Sequence, residues 1–201
     1  MNSTYTTREE WLVAAVKALA PIFAAQGHEL PAVRVSVGFA GGPRKKSTVI
    51  GQCWHPSTTS DGIGQVFVSP ILDDAVRVLD VLAHELVHAI NHVQGHSGHG
   101  KEFAAIAKPL GLTGRMTATV AGPSLEAELV LIAENLGAYP HAALSATSES
   151  EDQPKKQGTR MLKVECPESG YTVRMTRKWI DEYGTPVCPC HGEVMAEAVP
   201  A

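Results

Sequence analysis

Long hydrophobic runs are missing from this sequence. No stretch of 18 or more residues is apolar throughout, which excludes a conventional membrane-spanning helix. The apolar stretch WLVAAVKALAPIFAA near the N-terminus also lacks the form of an export signal. Glu9 and Glu10 precede it, Lys17 interrupts it and Pro21 lies late in it. We therefore expect a cytoplasmic protein that does not bind membranes.

Cysteine and net positive charge are also scarce. The chain has four cysteines in 201 residues, and in a reducing compartment these are expected to be thiols or metal ligands rather than disulfides. Its formal net charge of −4 is not that of a polycation built for nucleic acid. Residues 155–178 are the exception, with seven Lys/Arg and two Glu. This local excess indicates either a phosphate-facing patch or the solvated face of a small module.

The hydrophobic pattern is typical of a mixed α+β protein. Larger apolar residues recur at helical spacing over residues 8–25 and predict an amphipathic core helix. Short segments at 33–39, 48–54 and 65–69 predict three strands. A domain that begins with a helix and a small sheet is therefore expected.

A long helix is predicted after these strands. Asp73 or Asp74 can cap its N-terminus, its apolar residues follow 3–4 spacing through residue 93, and Gly95 ends it. A short helix is predicted to start in the sequence GKEF, and a further one spans residues 124–137.

Composition divides the chain into three parts. Residues 143–160 are rich in Ser, Glu, Lys and Gln, and they contain too little apolar surface to order themselves. We therefore predict a domain at 1–142, a flexible linker at 143–160 and a small β-rich module at 161–201, which holds three of the four cysteines.

His84, Glu85 and His88 form the pattern H-E-x-x-H within the long helix. Positions i and i+4 lie on the same helix face, so both imidazoles can reach one metal ion. Glu85 is rotated by about 100° from His84, and it can accept a proton from water held by that metal. Since zinc brings the pKa of such water to about 7, the pattern is typical of peptide-bond hydrolysis. The alternative is a helix with two ordinary surface histidines.

The third metal ligand is left open by the helix geometry. The metzincin pattern would need His where Gln94 stands. His92 lies about 6 Å further along the axis than His88, too far for a compact site, and we expect His92 and His96 to face solvent. His99 follows a Ser-Gly pair at which the chain can reverse. The gluzincin-type alternative is a glutamate from a later helix: Glu126, Glu128 or Glu134.

This region resembles the SprT-like metallopeptidase family, which includes the bacterial SprT proteins and the eukaryotic Spartan proteases. The resemblance covers roughly residues 48–110 and rests on four motifs: Gly51-Gln52-Cys53, the strand Gln65–Pro70, His84–His88, and His99-Gly100-Lys101-Glu102-Phe103.

The resemblance implies a zincin-like α+β domain. It makes His99 the third ligand of a catalytic zinc ion, Glu85 the catalytic base and Phe103 a packing residue behind the site. It also implies that the targets are proteins on DNA or cross-linked to DNA. Cys53, which lies in a predicted strand, is interpreted as a buried thiol.

The C-terminal module resembles a degraded form of the zinc ribbon that family members often carry. Its two knuckles read CPESG and CPCHG, with Ser169 in place of a cysteine. Cys166, Cys188 and His191 keep the register of metal ligands, and Cys190 could supply a fourth. A structural zinc ion is one interpretation. The other is a metal-free β-module held together by Tyr171, Val173, Trp179 and Tyr183.

The 21 residues between Cys166 and Cys188 suit a β-hairpin that carries Arg174, Arg177 and Lys178. In the family such tails are associated with DNA or nucleoprotein contacts, so DNA is a candidate partner. Two functions therefore stay open. One is a zinc metallopeptidase acting on protein or peptide substrates, and the other is a nucleic-acid-associated regulatory protein with a structural or vestigial zinc site.

Overall fold

The computed structural model describes residues 5–39, 49–145 and 161–198. In these residues the fold is mixed α+β, as predicted, with five α-helices and three small sheets. The chain divides into two compact units, Met1–Ser148 and Glu149–Ala201. Among the described residues, every helix is too short or too polar to cross a lipid bilayer.

Most of the predicted linker, residues 146–160, lies outside the described residues. Its first residues are attached to the first unit. The backbone N–H of Ala143 donates to the carboxylate of Asp73 at 3.2 Å, and that of Leu144 donates to the carbonyl of Pro70 at 2.9 Å.

The first unit begins with helix α1 (Arg8–Ala25), which Thr7 and Glu10 start with a capping box. Its inner face, including Trp11 and Phe23, is fully buried. Strands β1 (Val33–Val37), β2 (Gly51–Trp54) and β3 (Gly64–Val68) form a sheet in the order β1-β3-β2. The central strand β3 runs parallel to β1 and antiparallel to β2, so β2 is an edge strand.

Helix α2 (Ala75–Val93) is the core of the first unit. The Asp74 side chain caps it by accepting the backbone N–H of Arg77 at 2.7 Å. Most of the predicted apolar stripe is buried, but Val93 is 56% exposed because it lies in the last turn, beyond the packed part of the helix. The sequence pattern therefore predicts the buried face correctly from Leu79 to Ile90, whereas Val76 in the first turn is half-buried.

Two short helices and an unpredicted hairpin complete the first unit. They are α3 (Lys101–Ala107), β4 (Leu112–Arg115), β5 (Ala118–Ala121) and α4 (Pro123–Leu136). The β4–β5 hairpin has strands of only four residues, and such short strands carry too few alternating positions to give a periodic signal.

The second unit contains β6 (Leu162–Glu165), β7 (Thr172–Met175), α5 (Arg177–Tyr183) and β8 (Ala196–Glu197), with the sheet order β7-β6-β8. The prediction of one basic hairpin between Cys166 and Cys188 is wrong. Only Arg174 lies on a strand, whereas Arg177 and Lys178 lie on α5, which starts after Thr176.

The residues that form the core of the second unit are mostly not those that the metal-free interpretation predicts. Val164, Cys166, Cys188 and Met195 are buried, with Val173, Met175 and Ile180 packed around them. Tyr171, Trp179 and Tyr183 are instead 45%, 48% and 72% exposed. Because Ile180 is the residue of α5 that packs on the core, Trp179 and Tyr183 are left on the outer side of that short helix.

Candidate metal centre

Three of the five histidines between residues 84 and 99 have their side chains close together. His84 and His88 lie one turn apart on α2, with ring centroids 5.1 Å apart. The Nε2 atom of His99 lies 3.2 Å from Nε2 of His84 and 3.0 Å from Nε2 of His88. The sequence-predicted ligand set is therefore brought together in space.

A chain reversal after α2 brings His99 to this point. The helix ends in a Schellman arrangement, in which the N–H of His96 donates to the carbonyl of Asn91 at 2.8 Å and Gly95 has φ of 80°. Gly98 has φ of 72°, a conformation that glycine adopts without steric cost, and α3 then begins at Lys101. The two glycines thus turn the chain back toward α2.

Phe103 packs against all three histidines from behind. Its side chain is fully buried, and its ring centroid lies 4.9, 4.6 and 5.0 Å from those of His84, His88 and His99. The predicted packing role of Phe103 thus agrees with its position on α3.

The three imidazoles fit a zinc ion by distance and by charge. Zinc–nitrogen bonds of about 2.0–2.1 Å at tetrahedral angles put two ligand nitrogens roughly 3.3 Å apart, close to the separations of 3.2 and 3.0 Å between the Nε2 atom of His99 and those of His84 and His88. Burial, with smaller contributions from neighbouring histidines, lowers the pKa of His84 to about 4 and that of His88 to about 3. Burial also lowers the pKa of His99. The rings are therefore neutral near pH 7, which is the form that binds metal.

Glu85 lies beside this cluster and is only 6% exposed. Burial raises the pKa of its carboxyl to about 8, and a hydrogen bond from the backbone of Cys53 acts in the opposite direction. Strand β2 passes directly against the carboxyl. A Cβ atom at Gly51 would lie 2.5 Å from Oε1 of Glu85 and 2.6 Å from Cγ1 of Val81. The absence of a side chain at Gly51 therefore makes room for Glu85.

The cluster opens into a groove of about 580 Å³. Its walls are β2 with the residues before it, one face of α2, the turn that carries His99, and residues 117–119 of the hairpin. Arg77 lines the groove on the N-terminal side of His84, and His92 lines it on the C-terminal side of His88. An extended segment lying in this groove would pass both Glu85 and the three histidines.

His92 is half-buried on the wall of the groove rather than fully exposed to solvent, whereas His96 is exposed, as predicted. The Nδ1 atom of His92 lies 3.7 Å from the thiol of Cys53, and its ring centroid lies 5.0 Å from that of His55. The helix continues to residue 93, so this side chain still points along the groove. Burial and the nearby charge of Glu85 raise the pKa of Cys53 to about 12, which keeps it a neutral thiol.

The gluzincin-type alternative has no geometric support. Glu126, Glu128 and Glu134 lie on α4, are exposed and do not line the groove.

Thr119 contacts His84, and the sequence does not predict this contact. Its hydroxyl lies 2.7 Å from Nδ1 of His84, and the residue is only 7% exposed. No motif indicates this contact, because 35 positions separate the two residues and Thr119 lies in the unpredicted hairpin.

The second unit holds another cluster of donor atoms. The Nδ1 atom of His191 lies 3.9 Å from the Sγ atoms of Cys166 and Cys188, and these three groups lie close enough together to hold a metal ion. The hydroxyl of Ser169 lies 3.5 Å from Sγ of Cys188. Hydrogen bonds from Ser169 and then His191 lower the pKa of Cys188 to about 6. Cys190, the fourth predicted donor, is exposed and does not belong to this cluster.

The fold and the site define a mixed α+β protein with a candidate metal centre on an H-E-x-x-H helix. Residues 23–122 match the model of the SprT-like family, and this part of the chain belongs to that family. The match runs from the end of α1 through the β4–β5 hairpin, and so includes the histidine cluster and Glu85 but not the second unit. No curated protein and no solved structure shows significant similarity to the chain.

Proposed function

We propose that this protein is a zinc-dependent metallopeptidase of the SprT-like type, with a zincin-like first unit. The observation that carries the proposal is the convergence of three neutral imidazole nitrogens beside a buried carboxyl, at the base of a groove bounded by an edge strand. The family match over the same residues supports it.

His84, His88 and His99 would hold the zinc ion through their Nε2 atoms. When bound, zinc supplies a Lewis acid that polarises a peptide carbonyl and acidifies water. Glu85 acts as the general base, because its carboxylate takes a proton from the attacking water and passes it to the departing amine nitrogen. Burial alone raises the pKa of Glu85, whereas a bound zinc ion beside it would lower that pKa and favour the carboxylate form that takes the proton.

The substrate would bind as an extended peptide along β2. An edge strand presents unpaired backbone N–H and C=O groups, and a peptide can add to it as a further strand. Because β2 forms one wall of the groove and lies against Glu85, an added strand would place a peptide bond beside the candidate base.

The test is peptidase activity of the full chain and of Glu85→Gln, each with and without DNA. We expect the substitution to lower kcat roughly 10²- to 10⁴-fold, while the zinc content stays unchanged because Glu85 is not a ligand. The matched control is His96→Ala, which removes an exposed histidine of the same segment and should keep both properties. Equal cleavage by wild type and Glu85→Gln would overturn the proposal.

We also propose that the second unit contacts DNA, so that the substrates are DNA-associated proteins. On α5 the rings of Trp179 and Tyr183 are exposed and 5.5 Å apart, and Nζ of Lys178 lies 5.4 Å from the Trp179 ring centroid. Exposed aromatic rings with adjacent cations are typical of surfaces that stack on single-stranded bases. Arg174 on β7 adds positive charge, whereas Lys163, its partner in the β6–β7 register, is paired with Glu165 at 2.6 Å.

Salt-dependent binding of single-stranded DNA to the full chain tests this surface. Trp179→Ala with Tyr183→Ala should weaken binding at least about 10-fold, since stacking contributes about 1–3 kcal/mol per base. Exposed Tyr171→Ala, on the turn before β7, is the control. The double variant His84→Ala/His88→Ala tests the alternative function. If it still binds DNA, and if wild type cleaves no substrate in any condition, a nucleic-acid-associated regulatory protein would be favoured instead.

For the second unit we propose a structural zinc ion held by Cys166, Cys188 and His191, with the Ser169 hydroxyl near the fourth position. Wild type should then contain two zinc ions per chain and His99→Ala should contain one. Ser169→Cys should slow the loss of the second ion to a chelator, because thiolate is a far better zinc ligand than a hydroxyl. Cys190→Ser should leave it unchanged, and a single zinc in wild type that disappears in His99→Ala would contradict the second site.

A further inference from the structure

The hydroxyl of Thr119 touches the side of His84 that faces away from the other histidines. The Nε2 atom of His84 is directed at His99, whereas its Nδ1 atom lies 2.7 Å from Oγ1 of Thr119. Thr119 is only 7% exposed, so water has little access to replace this contact. The two ring nitrogens of His84 therefore have different partners.

These partners determine where the imidazole proton must lie. A neutral imidazole carries one proton, and the nitrogen that binds metal must be the one without it. If Nε2 of His84 binds a metal, Nδ1 carries the proton and donates it to Oγ1 of Thr119. This hydrogen bond would favour the metal-binding tautomer and hold the ring in one orientation.

The strand that carries Thr119 is itself fixed to α2. The N–H of Ala121, two residues further along β5, donates to the carboxylate of Asp80 at 2.8 Å. Asp80 is buried, forms an ion pair with Arg77, and lies one turn before His84 on the same helix. Helix α2 thus holds the hairpin through Asp80, and the hairpin in turn holds His84 through Thr119.

We propose that Thr119 is a positioning residue for the candidate metal centre, which selects the tautomer and orientation in which His84 binds zinc. The inference rests on the proposed zinc site and adds to it a residue outside the H-E-x-x-H and H-G-x-x-F motifs. It assigns to the β4–β5 hairpin a specific role in metal affinity.

The experiment compares the metal affinity of full-length Thr119→Val, Thr119→Ser and Thr117→Val. Zinc affinity is measured by chelator competition, and Co²⁺ absorption reports the ligand geometry. The part of each signal that disappears in a His99→Ala background belongs to the histidine cluster. We expect Thr119→Val to weaken zinc binding about 10- to 100-fold and to change the Co²⁺ spectrum, whereas Thr119→Ser keeps the hydroxyl and stays near wild type.

Thr117→Val is the matched control, because Thr117 lines the same groove from the same hairpin but is exposed. It should bind zinc like wild type. Wild-type affinity in Thr119→Val, or equal weakening in Thr119→Val and Thr119→Ser, would overturn the positioning role of the hydroxyl. A wild-type histidine cluster that binds no zinc would overturn the proposed function as well, so the two failures are distinguishable.

Discussion

At the scale of single residues, the site depends on an absent side chain as much as on those present. Gly51 lies on the edge strand, and a Cβ atom there would collide with both Glu85 and Val81 on α2. A side chain at position 51 would therefore fill the space that the Glu85 carboxyl occupies. Position 51 controls where the candidate base can sit.

Gly51→Ala is expected to displace Glu85 while leaving the three histidines in place. The predicted result is a fall in kcat of at least about 10-fold, since general-base catalysis requires the carboxyl within hydrogen-bond reach of the proton, with unchanged zinc content. Steady-state kinetics and metal analysis measure the two quantities. Gly38→Ala is the control, because its added methyl would meet only Phe67 at an ordinary 3.5 Å. Unchanged kcat in Gly51→Ala would contradict the account.

The sequence predicts candidate residues well where a short motif places them on one element. His84, Glu85 and His88 follow from helix geometry, and the structure brings His99 to them as the family resemblance implies. Thr119 could not be predicted, since its contact with His84 depends on how the hairpin folds back onto α2.

At the scale of elements, the β4–β5 hairpin is fixed to helix α2 by the buried carboxylate of Asp80. Asp80 accepts the N–H of Ala121 and pairs with Arg77, while a comparable pair of Asp61 and Arg34 lies on the surface of the same unit. Both pairs join an aspartate to an arginine, but only Asp80 is buried. Substitution of the two aspartates therefore compares a buried carboxylate with an exposed one in the same unit.

Asp80→Ala should destabilise the first unit by about 1–3 kcal/mol, because the Ala121 N–H loses its acceptor in a partly buried position. Asp61→Ala should destabilise the unit much less than Asp80→Ala, as is usual for exposed ion pairs. Urea unfolding measures both free energies, and hydrogen exchange at Ala121 should be faster in Asp80→Ala only. Equal destabilisation by the two substitutions would show that Asp80 has no special role in holding the hairpin.

Apolar periodicity predicts the long elements and fails for most of the short ones; the exceptions are β2 and α3, which are equally short but agree with the sequence prediction. The helices α1 and α2, of 18 and 19 residues, contain several periods of apolar spacing and were predicted within about two residues at each end. The four-residue strands of the hairpin and the seven-residue helix α5 contain too few periods. These short elements form because they pack on larger elements. Such long-range contacts leave no pattern in the local sequence.

At the scale of the whole molecule, the buried carboxyl makes stability depend on pH. The pKa of Glu85 is about 8 in the folded protein, whereas its ordinary value is 4.5. The folded state therefore retains a proton that the unfolded chain releases. The resulting stabilisation is complete below pH 4.5 and is lost as the pH rises toward about 8.

Glu85→Gln should remove this pH dependence, because the amide resembles the protonated carboxyl and does not titrate. In the presence of a chelator, the variant and wild type should be similarly stable near pH 4.5, and the variant should become more stable by roughly 1–3 kcal/mol at higher pH. Thermal unfolding across this range measures the difference. A difference between the two proteins that does not change with pH would contradict the assigned burial of Glu85.

The reversal at Gly95 and Gly98 also affects the order in which the site can assemble. His99 lies only 11 positions from His88, whereas Thr119 lies 35 positions from His84. Closing a short loop costs less chain entropy than closing a long one, so the three imidazoles can meet once α2 and the following turn have formed. A metal ion could therefore be captured early in folding by one local segment, and the hairpin would arrive later to fix a ligand already in place.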